Sequence, residues 1–127
     1  MPVEITLKMV KIPVSDVERA APFYREVLGL REDFVVPEYG WAQFSAGDMP
    51  VALYVPGKGG GNGTAGATDS VHFCITQPDD FRQQLRAAGL DPDAHLHQGN
   101  DGTTFFELQD PDGNTFKVIV AQPENTD

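Results

Sequence analysis

The groups whose types and spacing could do chemistry are few in this 127-residue chain: three histidines, one cysteine, and some carboxylates and aromatic rings at strand-like spacing. His95 and His97 stand at i and i+2, so a strand would put both on one face. Such a pair can hold a divalent metal if His72 or Glu107 joins it as a third donor. The plainer reading is two surface histidines beside a loop. Cys74 lies in the apolar run Val71–Ile75, where a thiol is expected to pack as a small buried hydrophobe. A single cysteine also closes no internal disulfide.

Asp110-Pro111-Asp112-Gly113-Asn114 is a strong turn signal between two strand-like runs. With those five residues as a hairpin loop, Gln109 opposes Thr115, Leu108 opposes Phe116 and Glu107 opposes Lys117. Opposed residues share a face. Glu107 and Lys117 are then either a strand-strengthening ion pair or a polar anchor at the bottom of a binding site. Glu107 could serve as a general base, but an adjacent Lys117 would lower its pKa and weaken it in that role. In the first half, a turn at residues 46–49 sets Phe44 opposite Val51, Gln43 opposite Ala52 and Trp41 opposite Tyr54. That parity buries Phe44, Val51 and Leu53. It leaves Trp41 and Tyr54 as an aromatic wall that either fills space or stacks on a planar or cationic ligand. A slip of one residue would reverse every face.

The elements that must position these groups repeat. Residues 5–14 alternate as a strand, Ser15 and Glu18 have capping-box spacing, and residues 16–28 carry apolar positions at helical spacing up to the stop at Gly29. Pro22 inside that helix predicts a kink. Strands are expected at Arg31–Val36, residues 41–45 and residues 51–55. A Gly-rich run at 56–68 follows, which lacks the Walker spacing and reads as a flexible linker. The pattern then restarts: a strand at residues 70–76, a helix at residues 78–88 with its stop at Gly89, a short strand at residues 93–98, and strands at Thr104–Gln109 and residues 115–121. A shift of 63 carries Met9 onto His72 and Tyr54 onto Lys117. The expected fold is therefore α+β: one domain over residues 1–127, built of two βαβββ modules at about 5–55 and 69–121. Their sheets curve into a cup with the helices on the convex face.

A formal net charge of −10 argues against nucleic acid and against an anionic membrane surface, and an acidic field would favour a cationic ligand. No stretch reaches the ~18 apolar residues of a membrane span, and no basic-then-apolar leader opens the chain, so a cytoplasmic protein is expected. No nucleophile elbow, catalytic-cysteine signature or dinucleotide fingerprint is present.

Val14-Ser15-Asp16, then Phe23-Tyr24-Arg25-Glu26-Val27-Leu28-Gly29-Leu30, then His72-Phe73, then Asp110-Pro111-Asp112-Gly113-Asn114 together resemble the vicinal oxygen chelate superfamily. This is the group of glyoxalases, bleomycin-resistance proteins, fosfomycin-resistance enzymes and extradiol dioxygenases. The resemblance implies that metal-dependent members take ligands from positions matching Met9, Tyr54, His72 and Lys117. Of these, only His72 is a good donor for a Zn, Ni, Mn or Fe type cation. The character is thus nearest the metal-free bleomycin-resistance branch, which implies antibiotic resistance by sequestration, no cofactor, and a homodimer that can exchange halves. The resulting expectation is a small cationic or aromatic molecule bound without metal by Trp41, Tyr54, His72, Glu107 and Lys117. The alternatives are a glyoxalase-type lyase, isomerase or dioxygenase with a non-standard metal site at His72, His95 and His97, and a partner-binding subunit that kept only the fold.

Overall fold

Two runs of alternating residues, each interrupted by helix after its first strand, fold into two copies of one unit. The computed structural model describes residues 3–121. The first unit holds β1 (Val10–Pro13), α1 (Val17–Pro22), β2 (Arg31–Val36), β3 (Trp41–Ala46) and β4 (Met49–Tyr54). The second holds β5 (Val71–Ile75), α2 (Pro78–Ala87), α3 (Pro92–His95), β6 (Leu96–Gln98), β7 (Thr104–Gln109) and β8 (Thr115–Val120). Each forms a four-stranded mixed sheet, ordered β1-β4-β3-β2 and β5-β8-β7-β6. In both, the first strand runs parallel to the last. Among the described residues no helix is long and apolar enough to cross a membrane.

The boundaries differ from the sequence reading for local reasons. The first strand begins at Val10, not at residue 5. The parallel register pairs Val10 with Val51, so its continuation would set Met9 against Pro50, which has no N–H to give. Upstream, Val3, Ile5 and Leu7 are exposed. The helix cap is Asp16 in place of Ser15: its Oδ1 accepts the Glu18 and Arg19 backbone N–H groups at 2.9 and 3.3 Å. A carboxylate there also meets the positive end of the helix. Ser15 Oγ instead accepts from the Arg19 guanidinium. Beyond Pro22 the helix widens into a π-helical turn, Phe23–Val27. The Leu28 N–H reaches back five residues to the Phe23 carbonyl, so the proline is accommodated without breaking the helix. Gly29, with φ +70°, then ends it. Residues 93–98 are not one strand. Asp91 caps the Asp93 N–H and Pro92 starts a helical turn, which leaves only Leu96–Gln98 as β6.

One shared core joins the modules. Tyr24 packs its ring against Phe44 of β3 and Phe116 of β8, with centroids 5.8 Å away in both cases. The lock is the Asp110–Asn114 turn. The Tyr24 phenol donates to Asp110 Oδ2 at 2.6 Å, and burial, with this bond second, pushes its pKa far above the usual phenol value. Asn114, with no exposed surface, donates to the Pro13 carbonyl and to Asp110 Oδ2. It also accepts the Thr68 N–H. The turn that closes the second module therefore holds the end of β1 in the first.

Candidate functional site

Strand pairing divides each sheet into a core face and an outer, cup-forming face. On β3 and β4, Phe44 pairs with Val51 and Ala42 with Leu53, and all four are buried. Trp41 pairs with Tyr54 and Gln43 with Ala52, so these belong to the other face. Lys11 and Phe34 join them from β1 and β2 through Ala52 and Gln43. On the second sheet, Phe106–Val118 and Leu108–Phe116 are buried pairs. Lys117 pairs with Glu107 on one side and with His72 on the other. The spacing that predicted Trp41 opposite Tyr54 and Glu107 opposite Lys117 thus gives the register the sheets adopt.

Several side chains sit differently from the expectation. Cys74 is exposed, not buried, because Val71, Phe73 and Ile75 take the core parity and leave His72 and Cys74 on the outer face. Tyr54 is only 7 % exposed. The glycine-rich segment folds over it as a strap: a Cβ at Gly60 would fall 2.6 Å from Tyr54 Cβ, and one at Gly63 would collide with the Tyr54 hydroxyl. Those glycines are there because nothing larger fits. Trp41 keeps part of its surface open, its indole N–H donating to Gln43 Oε1 at 3.4 Å. Finally, Glu107 and Lys117 oppose one another but make no ion pair. The Lys117 ammonium lies 4.7 Å from the Phe105 ring centroid instead. Lys11 lies likewise over Tyr54, at 5.0 Å.

The donor set does not fit a divalent metal. The four positions that the resemblance marks carry a thioether, a phenol, an imidazole and an ammonium group. His95 and His97 do not share a strand face, since His95 closes α3 while His97 lies in β6. His95 Nδ1 is 3.1 Å from the Glu107 carbonyl oxygen. Both histidines and Glu107 line one cleft of ≈ 610 Å³. Even so, among the described residues no three of His, Cys, Asp and Glu are placed to hold an ion.

A second cleft, ≈ 480 Å³ and apolar, lies between the modules and is lined by Val10, Leu30, Val51, Phe73, Phe81 and Val118 together with His72 and Cys74. Most of these residues have core-face parity, whereas His72 and Cys74 belong to the outer face. Among the described residues no hydrogen bond, ion pair or ring contact joins the Trp41–Tyr54 wall to the His72–Glu107–Lys117 wall.

The architecture and the paired motifs now meet the comparison that decides the family. A family model, Glyoxalase/Bleomycin resistance protein/Dioxygenase superfamily, matches residues 6–118. The chain belongs to that superfamily. No curated protein matches it. Among solved structures, lactoylglutathione lyase from Agrobacterium tumefaciens is 19% identical with a TM-score of 0.73, covering 94% of this chain and 96% of that one. TioX from Micromonospora sp. ML1 is 20% identical with a TM-score of 0.71, covering 92% and 100%. The bleomycin resistance determinant encoded on the transposon Tn5 is 19% identical with a TM-score of 0.67, covering 94% and 100%. At such identities the likeness is one of fold. A lyase and a resistance determinant both share it, so the fold does not choose the chemistry of this superfamily member. Sequence reasoning missed the strap over Tyr54, although clustered glycines following a strand were the available signal. It also missed the stacked lysines, which strand parity alone does not announce.

Proposed function

We propose that this protein binds a small planar aromatic molecule in a cup completed by a second copy of itself, without a resident metal and without changing the ligand. The carrying observation is the Trp41–Tyr54 pair on the face turned from the core. There an indole with open surface is braced by Gln43 and backed by a strapped-down phenol, a rigid platform for ring stacking. Two further observations support a second copy. Among the described residues no hydrogen bond, ion pair or ring contact joins the two walls within the chain, as expected of two half-cups. Phe34, at 45% exposure on the first wall, together with Ile5 and Leu7 beyond the end of β1, offers apolar surface that a partner would cover. The chemistry of the walls supports binding without catalysis. The metal positions hold one good donor among them, and among the described residues the Glu107 carboxylate makes no ion pair that would orient it as a base.

Calorimetric titration with planar aromatic probes, alongside light scattering after size exclusion, tests this directly. The reading predicts a dimer at micromolar concentration, saturable binding, and loss of binding in Trp41→Ala with little change in melting temperature. A monomer at all concentrations, or binding unchanged in Trp41→Ala, overturns it.

A further inference from the structure

We propose that the cup selects an aromatic carboxylate, with Lys117 and His72 holding the carboxylate while Trp41 stacks on the ring; this rests on the cup being the ligand site. The overall charge of −10 points the other way, but the outer faces of the sheets do not follow the total. Arg31 is spent, its Nε on Asp33 and its Nη2 on Ser45. Asp33 is spent in turn on Arg31 and the Ser45 hydroxyl. That leaves Lys11 and Lys117 against Glu107 on the two walls. Neither ammonium group makes an ion pair among the described residues. Each rests on an aromatic ring. A ring face attracts the charge as a whole and consumes no acceptor-directed geometry, so the N–H donors of each lysine remain available to a ligand.

The register then fixes where an anion fits. Lys117 has Glu107 beside it on β7 and His72 beside it on β5. Glu107 repels a carboxylate, so the anion takes the β5 side, where His72 pairs with Lys117 across one inter-strand spacing of about 4.8 Å. The Lys117 ammonium rests over Phe105 on β7, so its flexible side chain swings toward β5 to meet one carboxylate oxygen while the imidazole N–H meets the other. His72 is exposed and Lys117 half-buried, so both donors can be reached from outside the core. A cation at the same place would face Lys117 directly.

Three probes with one ring system separate the claims: 2-naphthoate, 2-naphthamide and 2-naphthylmethylammonium, each titrated by calorimetry. The carboxylate is expected to bind at least about tenfold tighter than the amide, the increment of one charge-assisted contact, and the ammonium is expected to bind weakest. Lys117→Gln should abolish the preference for the carboxylate, Lys117→Arg should retain it, and Glu107→Gln should raise carboxylate affinity. Equal binding of all three probes, or tighter binding of the ammonium, refutes the anion assignment while leaving the cup as a ligand site. A carboxylate preference that survives in a folded Lys117→Gln refutes the role of Lys117. Failure of every probe to bind overturns the cup reading itself and this inference with it.

Discussion

Replacing Asn114 with alanine probes the joint on which the relative placement of the two modules depends. The side chain is fully buried and makes three hydrogen bonds, to the Pro13 carbonyl, the Asp110 carboxylate and the Thr68 N–H. At about 1 kcal/mol for each bond, with an added penalty for the partners left unsatisfied, the loss is about 3–4 kcal/mol. For a domain of this size that lowers the melting temperature by about 10–15 °C. Urea unfolding monitored by circular dichroism, with the slope checked for change, reads the loss directly. Asn114→Asp sharpens the test, because it keeps an acceptor for Thr68 but sets a second carboxylate against Asp110 Oδ2. The new group's folded pKa is then raised above its unfolded value, so this variant should be most stable at low pH and lose stability as pH rises. Gln109→Ala, which gives up only a 3.4 Å bond at the surface, is the control and should stay within about 0.5 kcal/mol of wild type. A cost below about 1 kcal/mol for Asn114→Ala would refute the view that this turn locks the modules together.

Other consequences are accessible to simple measurements. Tyr24 ionises far more readily unfolded than folded. Its contribution is therefore complete below about pH 10 and falls above it, and Tyr24→Phe should show a shallower alkaline loss of stability than wild type. Gly60→Ala places a Cβ against Tyr54. The strap must lift, costing about 1–2 kcal/mol and opening residues 56–68 to limited proteolysis. Cys74 should react with a thiol reagent in the native protein at low concentration, since its exposure requires no unfolding. Elemental analysis after incubation with Zn, Ni, Mn or Fe(II), with His72→Ala beside it, should find no stoichiometric retention in either protein.

The sequence made the fold legible because its signals were local and repeated. Gly29 and Gly89 end the helices as left-handed stops. The Asp110–Asn114 turn fixes a register that carries Glu107 to Lys117, and a two-residue turn at Gly47-Asp48 carries Trp41 to Tyr54. What was not legible depended on contacts between distant segments. Cys74 looked apolar in its run, yet Phe73 and Ile75 on either side take the core face and leave it outside. The strap's glycines read as flexibility until Tyr54 came beneath them. Net charge, summed over the chain, hid two lysines that strand pairing and ring stacking place on the walls.

The claim that the cup closes between two copies has a direct optical test, because the chain holds one tryptophan and one cysteine, and they lie on opposite walls. Trp41→Phe protein labelled with an acceptor dye on Cys74 can be mixed with unlabelled wild type, leaving Trp41 of one chain as the only donor. The account predicts that Trp41 emission falls on mixing, that the transfer grows with concentration, and that excess unlabelled Trp41→Phe protein reverses it. Unchanged donor emission on mixing, alongside transfer within singly labelled wild-type chains at high dilution, would place both walls in one chain and contradict it.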